Sequence, residues 1–325
     1  MKVLKKIKES LKDLYQIILR IFPGKFQNDE KNNINFSQIY PFGSNIDKLL
    51  KIESKNLLKD LNYKSEFRIS SIGTCFAEEV SKFFNSETKY NYLNLEKNLF
   101  DYSANWGRVF TTKNLEQVLL YSLTNKIPIY KELYKGNYFD PLREWIVGLY
   151  RSEKELVNEI ISHRANSKKV FMNTDLLIIT VGQNETWYDF NKDIVWGRIP
   201  PFEMRKKFKS LKPIEFSLEE NIIFLNNSID LLKKFNKNLK IIFTVSPVFQ
   251  NATFLSDNII SKSFSAKCLL KTAVDKVVNS HENVFYFPSF EAVLTDNPHS
   301  FNADNMHIKR KKVNQIMSLI DNSLP

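Results

Sequence analysis

The sequence predicts an α/β fold in which helices cover both faces of a parallel β-sheet. Short apolar runs of strand length alternate with longer segments whose apolar residues recur at three–four spacing. The clearest strand, residues 176–181, reads Leu-Leu-Ile-Ile-Thr-Val and is apolar on both faces, as strands of parallel sheets are. Strands that alternate with helices in this way are typical of a three-layer α/β/α arrangement.

The predicted elements follow one another from residue 46 to residue 320. We expect strands at residues 67–72, 145–150, 176–181, 239–245 and 284–287. We expect helices at residues 46–61, 77–84, 115–123, 153–163, 218–235, 261–278 and 313–320. Ligands of parallel sheets bind at the carboxyl ends of the strands. The segments that follow three predicted strands, 73–75, 182–184 and 246–247, are therefore candidates for a site.

Residues 1–22 form a basic amphipathic segment that precedes these elements. Apolar residues recur there at helical spacing with lysines between them, and the charges are too frequent for a membrane-spanning helix. We expect a helix that lies on an anionic membrane surface or a partner, or that packs on the body of the protein. An Asn-rich stretch then predicts a linker, so the chain divides into residues 1–35 and a single large domain at 36–325.

The composition excludes several classes of function. The formal net charge is +11, but lysines are mixed with acidic residues and no nucleic-acid-binding motif is present, so nucleic acid is not expected as a partner. With 4 histidines and no metal-ligand spacing, we expect no metal site. The two cysteines, Cys75 and Cys268, do not make a disulfide framework. We expect a cytoplasmic protein, peripheral to the inner face of the membrane if residues 1–22 bind it.

Two short segments far apart in the chain carry candidate chemistry. Thr74 and Cys75 follow Gly73 at a predicted strand-to-helix turn, where a nucleophile is well presented. Asp304 and His307 are three residues apart, so on a turn their side chains lie on one side. Nucleophile, base and a carboxylate that orients the base are the three roles of acyl transfer. The alternative is that Cys75 is an inert buried thiol and Thr74 only caps the following helix.

The order of the short motifs resembles that of the GSCFA family, a branch of the SGNH (GDSL-like) hydrolases. The resemblance covers roughly residues 38–320, and Thr74 stands where the family motif has Ser. The matching segments are Gly73-Thr74-Cys75-Phe76-Ala77, Asn105-Trp106-Gly107, Ile178 to Gly182 followed by Glu185-Thr186-Trp187, Thr244 to Val248, Tyr286 to Glu291, and Asp304-Asn305-Met306-His307.

The resemblance implies a role for each matching residue. The SGNH register places Cys75 at the nucleophile position, with Thr74 as the alternative nucleophile, His307 as acid and base, and Asp304 as its orienter. Gly107 and Asn184 match the residues that supply oxyanion donors in the superfamily, beside the backbone of the nucleophile. The substrate-binding residues expected near these segments are Trp106, Glu185, Trp187 and Ser246.

The resemblance further implies a three-layer, flavodoxin-like SGNH fold with insertions. It implies an acyl esterase or O-acyltransferase that acts on acetyl groups of a carbohydrate or glycan precursor. No cofactor is expected, and an acyl donor such as acetyl-CoA is a co-substrate if the reaction is transfer. Two alternatives stay open: a catalytically inactive SGNH-like protein that binds glycan, and a basic scaffold associated with membrane or RNA.

Overall fold

The computed structural model of the protein describes most of the predicted large domain. The described residues are 11, 50–51, 54–55, 59–87, 89–96, 106–124, 126–143, 148–255, 258–295 and 300–324. Apart from residue 11, the helix and linker predicted at residues 1–35 lie outside them. So do much of the helix predicted at 46–61 and the first half of the strand predicted at 145–150.

A parallel sheet of five strands forms the centre of the protein. The strands are β1 (Arg68–Gly73), β2 (Asn91–Tyr92), β5 (Leu176–Val181), β9 (Lys240–Val245) and β10 (Val284–Tyr286). Their order across the sheet is β10-β9-β5-β1-β2, and every adjacent pair is parallel. The predicted parallel α/β sheet is thus confirmed, and its strands lie within a residue or two of their predicted bounds, except the short β2, which was not predicted. The strand predicted at 145–150 is not part of this sheet: of its described residues, Tyr150 forms an isolated antiparallel bridge with Tyr138.

Helices cover the two faces of this sheet. They are α1 (Cys75–Ser86), α2 (Thr112–Leu123), α3 (Glu153–Asn173), α4 (Phe202–Lys207), α5 (Leu218–Phe235), α6 (Ile259–Ser280), α7 (Ser289–Leu294) and α8 (Arg310–Asp321). The helix predicted at 153–163 is correct in type but continues to Asn173. Several helices begin where a side chain caps their first turn. At α5, Ser217 and Glu220 form a capping box.

The apolar residues of β5 divide between two cores, one on each face of the sheet. Leu177 and Ile179 belong to a cluster with buried residues of α2, α3, α5 and α6. Leu176 and Ile178 belong to a second cluster with residues of α1 and α8. Since neighbouring side chains of a strand point to opposite faces, this division produces the three layers that the continuous apolar run predicts.

Two insertions outside the parallel sheet consist of antiparallel strands. The strands β6 (Glu185–Asp189), β7 (Ile194–Val195) and β8 (Leu211–Glu215) form a three-stranded sheet in the order β7-β6-β8. A separate hairpin joins β3 (Glu132–Tyr134) to β4 (Asn137–Phe139). Because β6 begins four residues after β5 ends, the three-stranded sheet stands beside the carboxyl edge of the parallel sheet. None of the described helices combines the length and apolar character needed to cross a bilayer.

Candidate active site

Gly73 ends β1 in a conformation that only glycine tolerates well. Its φ is +146°, and a Cβ added there would lie 2.1 Å from the carbonyl oxygen of Thr180 on β5. The next residue, Thr74, donates its N–H to the same oxygen at 3.2 Å. Close approach of the two backbones therefore fixes the position of the turn that carries Thr74 and Cys75.

Gly182 allows three strand ends to meet. A Cβ added to this residue would lie 2.6 Å from Cγ2 of Thr74 and 3.0 Å from Cβ of Ser246. Ser246 follows β9, is buried, and donates its N–H to the carbonyl of Val181 at 2.7 Å. The carboxyl ends of β1, β5 and β9 thus form one floor, as expected for a ligand site of a parallel sheet.

A cavity of about 340 Å³ opens at this floor. Its volume is at the lower end of the range typical of small-molecule sites. Cys75 and His307, which are far apart in the chain, both line it. Of the residues predicted for the site, the structure brings together Thr74, Cys75, Glu185, Trp187, Ser246 and His307.

His307 and Asp304 form a hydrogen-bonded pair at the mouth of the cavity. Nδ1 of His307 lies 2.6 Å from Oδ2 of Asp304, and Oδ1 accepts the N–H groups of Met306 and His307, each at 3.0 Å. The hydrogen bond from His307 is the main cause that lowers the pKa of Asp304 to about 2. Nδ1 is therefore the nitrogen held by the carboxylate, which leaves Nε2 available as a base.

Cys75 is the first residue of α1, and Thr74 is the N-cap of that helix. Oγ1 of Thr74 accepts the N–H of Phe76 at 3.3 Å. Burial raises the pKa of the Cys75 thiol, while the charges of Arg108 and Lys267 and the backbone N–H of Cys75 oppose that rise. The Glu78 carboxylate adds to it. The resting thiol is consequently protonated, and attack by sulfur requires a base.

Glu185 shapes the cavity wall through its hydrogen bonds. Its carboxylate accepts hydrogen bonds from the hydroxyl of Thr253 at 2.6 Å and from the N–H of Phe254 at 2.7 Å. These two bonds hold the loop after β9 against β6. Trp187, also on β6, packs edge-to-face against Phe254 with ring centroids 5.1 Å apart. Arg205 lies over the Trp187 ring at 5.3 Å. The wall is therefore aromatic and closed by a loop that Glu185 anchors.

Comparison with known proteins identifies the family. The model described as "GSCFA family" matches residues 68–319, which is more than half of the chain. The chain belongs to the GSCFA family. Comparison with curated proteins gives no match. Among solved structures, a Streptococcus pneumonia protein described as "a putative platelet activating factor" is similar with a TM-score of 0.41 and 12% identity, over 86% of this chain and 92% of that one.

The proposed oxyanion residues of this GSCFA protein do not line the cavity. Asn184 is buried; its Nδ2 donates to the carbonyl of Phe216 at 2.7 Å, and its Oδ1 accepts Nδ2 of Asn221 at 2.8 Å. Gly107 has a φ of +72° and is buried, and the residue after it, Arg108, contributes to the cavity wall instead. The Asn184 side chain therefore joins the turn between β5 and β6 to α5 and to the segment before it.

Trp106 lies in the hydrophobic core. It is 1% exposed, and it packs edge-to-face against Tyr121 and His163 with ring centroids 5.1 and 4.4 Å away. It belongs to the same apolar cluster as the residues of α2 and α5. The structure thus separates Trp106 from the cavity, although the neighbouring Arg108 reaches it.

Three polar residues near the cavity were not anticipated from the sequence. Asn114 lines the cavity, and its Nδ2 is buried without a hydrogen-bond acceptor among the described residues. Gln183 also lines it. Lys267 is buried behind the floor, donating to the carbonyl of Gly182 at 2.6 Å. No group of three His, Cys, Asp or Glu side chains in the described part of the chain could hold a metal ion.

Proposed function

We propose that this GSCFA protein is an acyl esterase or O-acyltransferase of the SGNH type that works through Cys75, His307 and Asp304. The observation that carries the proposal is that Cys75 and His307 line one cavity while Asp304 holds Nδ1 of the imidazole. These three groups supply the nucleophile, the base and the orienting carboxylate of acyl transfer.

The proposed reaction has two halves. Nε2 of His307 takes the proton of the Cys75 thiol as sulfur attacks the ester carbonyl, and Asp304 stabilises the imidazolium. The C–O bond of the ester then breaks, and the imidazolium gives its proton to the departing alcohol. In the second half His307 deprotonates water or an acceptor hydroxyl, which attacks the thioester and releases the thiol.

Two donors are proposed for the oxyanion. The backbone N–H of Cys75 lies at the first turn of α1, where N–H groups have no helical partner. The amide of Asn114 lines the cavity with a donor for which the described residues offer no acceptor. Asn184 is less suited to this task, because its amide already bonds to Phe216 and Asn221.

A small acyl ester of a carbohydrate is the proposed substrate. The volume of about 340 Å³ suits an acetyl group with part of one sugar ring. Trp187, Trp196, Phe249 and Phe254 line the cavity, and aromatic faces pack well on sugar rings. If the acyl group is transferred, a donor such as acetyl-CoA is the co-substrate.

One observation favours a second candidate, a glycan-binding protein without turnover. Burial raises the pKa of Cys75, so the thiol is not activated by its surroundings alone. A cavity with an inert thiol and aromatic walls would still bind a sugar. The membrane- or RNA-associated scaffold stays a prediction, because residues 1–22 lie outside the described residues apart from residue 11.

Turnover by matched variants tests the proposal. The purified protein is assayed for acetate release from p-nitrophenyl acetate and from acetylated monosaccharides. We expect Cys75→Ala to abolish release and His307→Ala to reduce kcat by roughly 10²–10⁴-fold. Cys268→Ala, which removes an exposed thiol on α6, is the control and should match the unaltered protein.

The outcomes separate the candidates. Sugar binding without acetate release in the unaltered protein would support the second candidate and overturn the enzyme. Loss of turnover in Thr74→Ala with full activity in Cys75→Ala would make Thr74 the nucleophile.

A further inference from the structure

Lys267 is a buried cation inside the helical layer. It lies on α6 and is 1% exposed. No carboxylate of the described residues is within ion-pair distance of it, and its Nζ donates to the carbonyl oxygen of Gly182 at 2.6 Å. Burying an ammonium without a carboxylate is unfavourable, because the charge loses its hydration. Stability alone therefore does not account for a lysine at this position.

The ammonium stands next to the nucleophile turn. A Cβ added to Gly182 would be 3.6 Å from Nζ of Lys267 and 2.6 Å from Cγ2 of Thr74, which directly precedes Cys75. The charges of Lys267 and Cys75 interact: the ammonium favours the thiolate, and the thiolate favours the ammonium. Lys267 thus lies on the side of the floor that faces away from the cavity, and the proposed substrate would bind on the other side.

We propose that Lys267 is a positioning residue that acts through Cys75, as the buried counter-ion of the thiolate formed during acyl transfer. This inference rests on the proposed function, since it takes Cys75 as the nucleophile. Lys267 takes no part in the proton transfer, and the proton that leaves Sγ goes to His307. When the thioester forms, the sulfur becomes neutral, so the ammonium favours the thiolate over the acylated state and thereby assists release of the acyl group.

The surrounding charges support a specific role for Lys267. Arg108 also favours the Cys75 thiolate, whereas Glu78 opposes it. Nη2 of Arg108 lies 3.9 Å from Oε2 of Glu78. The effects of these two opposite charges on the Cys75 thiolate therefore partly cancel. Burial lowers the pKa of Lys267 to about 7, and the thiolate is the group that raises it. The support that Lys267 gives is consequently greatest below neutral pH, where most of the amine is protonated, and is lost as the pH rises above 7.

The rate of thiol alkylation across pH tests this role without any substrate. Cys268→Ala leaves Cys75 as the single thiol, and iodoacetamide is the probe. In that background Lys267→Gln removes the charge but keeps an N–H donor for Gly182. We expect the rate at pH 7 to fall about tenfold, whereas the profiles should converge at alkaline pH, where Lys267 has lost its charge. Lys267→Arg keeps the charge, so its alkylation rate at pH 7 should be closer to that of the protein with Lys267.

Lys271→Gln is the matched control. Lys271 lies one turn further along α6 and pairs with Asp275 at 2.6 Å, so its loss changes net charge equally. We expect it to leave the alkylation profile unchanged. Should Lys267→Gln fail to give a folded circular-dichroism spectrum, Lys267→Met, an apolar chain of similar length, provides the same comparison.

Failure of this inference and failure of the proposed function are distinguishable. An unchanged alkylation profile in folded Lys267→Gln or Lys267→Met overturns the counter-ion role, even if Cys75→Ala abolishes acetate release. A shifted profile together with full acetate release by Cys75→Ala supports the charge coupling but overturns the nucleophile.

Discussion

The two sides of the cavity are built in opposite ways. Thr74 is 3% exposed, and the turn that carries it and Cys75 is fixed by backbone contacts with β5. His307 and Asp304 have side chains that are 53% and 45% exposed, and they stand on a turn before α8. Cys75, the proposed nucleophile, therefore stands on a turn held by packing, whereas His307, the proposed base, is held by hydrogen bonds within one short segment.

Substitutions on the two sides of the cavity should therefore have different effects on stability and activity. Changes on the buried side disturb packing, so they lower the free energy of unfolding as well as activity. Changes on the exposed side should alter activity with little effect on stability, because exposed ion pairs contribute little to folding.

Asp304→Asn tests the exposed side. The amide no longer stabilises the imidazolium of His307 and disturbs its tautomer, so we expect kcat for acetate release to fall by roughly 10²–10⁴-fold. The melting temperature should stay within a degree or two of the unaltered protein. A large loss of thermal stability, measured by calorimetry, would show that the pair has a structural task and would contradict the contrast.

Gly182→Ala tests the buried side. The added Cβ meets Thr74 and Ser246 at 2.6 and 3.0 Å, so we expect a loss of about 2–3 kcal/mol in the free energy of unfolding, with reduced turnover. Gly148→Ala is the matched control, since its nearest neighbouring atom would be 3.5 Å away in Tyr150. Measured by urea unfolding, the control should have nearly the same free energy of unfolding as the unaltered protein. Equal stability of Gly182→Ala and Gly148→Ala would be evidence against a tightly packed floor.

The pair Asn184→Ala and Asn114→Ala tests which asparagine serves the reaction. Removal of the Asn184 amide leaves buried Asn221 and the Phe216 carbonyl short of a partner, which should cost about 1–2 kcal/mol of unfolding free energy. Asn114→Ala should instead lower kcat with a smaller change in stability. The reverse result, with turnover lost only in Asn184→Ala, would return the oxyanion role to Asn184.

Thr74→Ala tests the cap of α1 on the buried side. Loss of the N-cap of α1 should lower the free energy of unfolding by about 1 kcal/mol. Cys75 should remain open to iodoacetamide in this variant, as quantified by peptide mass spectrometry. Complete protection of Cys75 would indicate that the cap, beyond stabilising α1, sets the position of the thiol.

The parallel sheet could be predicted because its strands are continuous apolar runs between helical patterns. The strands β6 and β8 were missed because Glu185–Asp189 and Leu211–Glu215 contain charged residues, and β8 contains Pro213. Proline is unusual inside strands and is tolerated at edges, and β8 is an edge strand of its sheet. The strand that places Glu185 and Trp187 in the cavity wall was therefore not predicted, although both residues were expected near the site.

The position of Cys75 at the cavity could be predicted, because the motif at Gly73 fixes the backbone there. The position of Asn184 could not, because its partner Asn221 comes from a distant helix. Lys267 did carry a signal: it lies four residues after Ser263 and three before Leu270, on the buried face of α6. A lysine on an apolar helical stripe indicates either a long chain that reaches water or a buried charge, and only the fold distinguishes them.

The central claim is that the sulfur of Cys75 carries the acyl group. It is tested most directly by quenching the Cys268→Ala protein in acid during turnover of p-nitrophenyl acetate and mapping the acetyl group by peptide mass spectrometry. We predict an acetyl thioester on Cys75 that forms in the native protein, and far more slowly in His307→Ala or after denaturation. Turnover with the acetyl group on Thr74, or with an unmodified Cys75 at every time point, would contradict the claim.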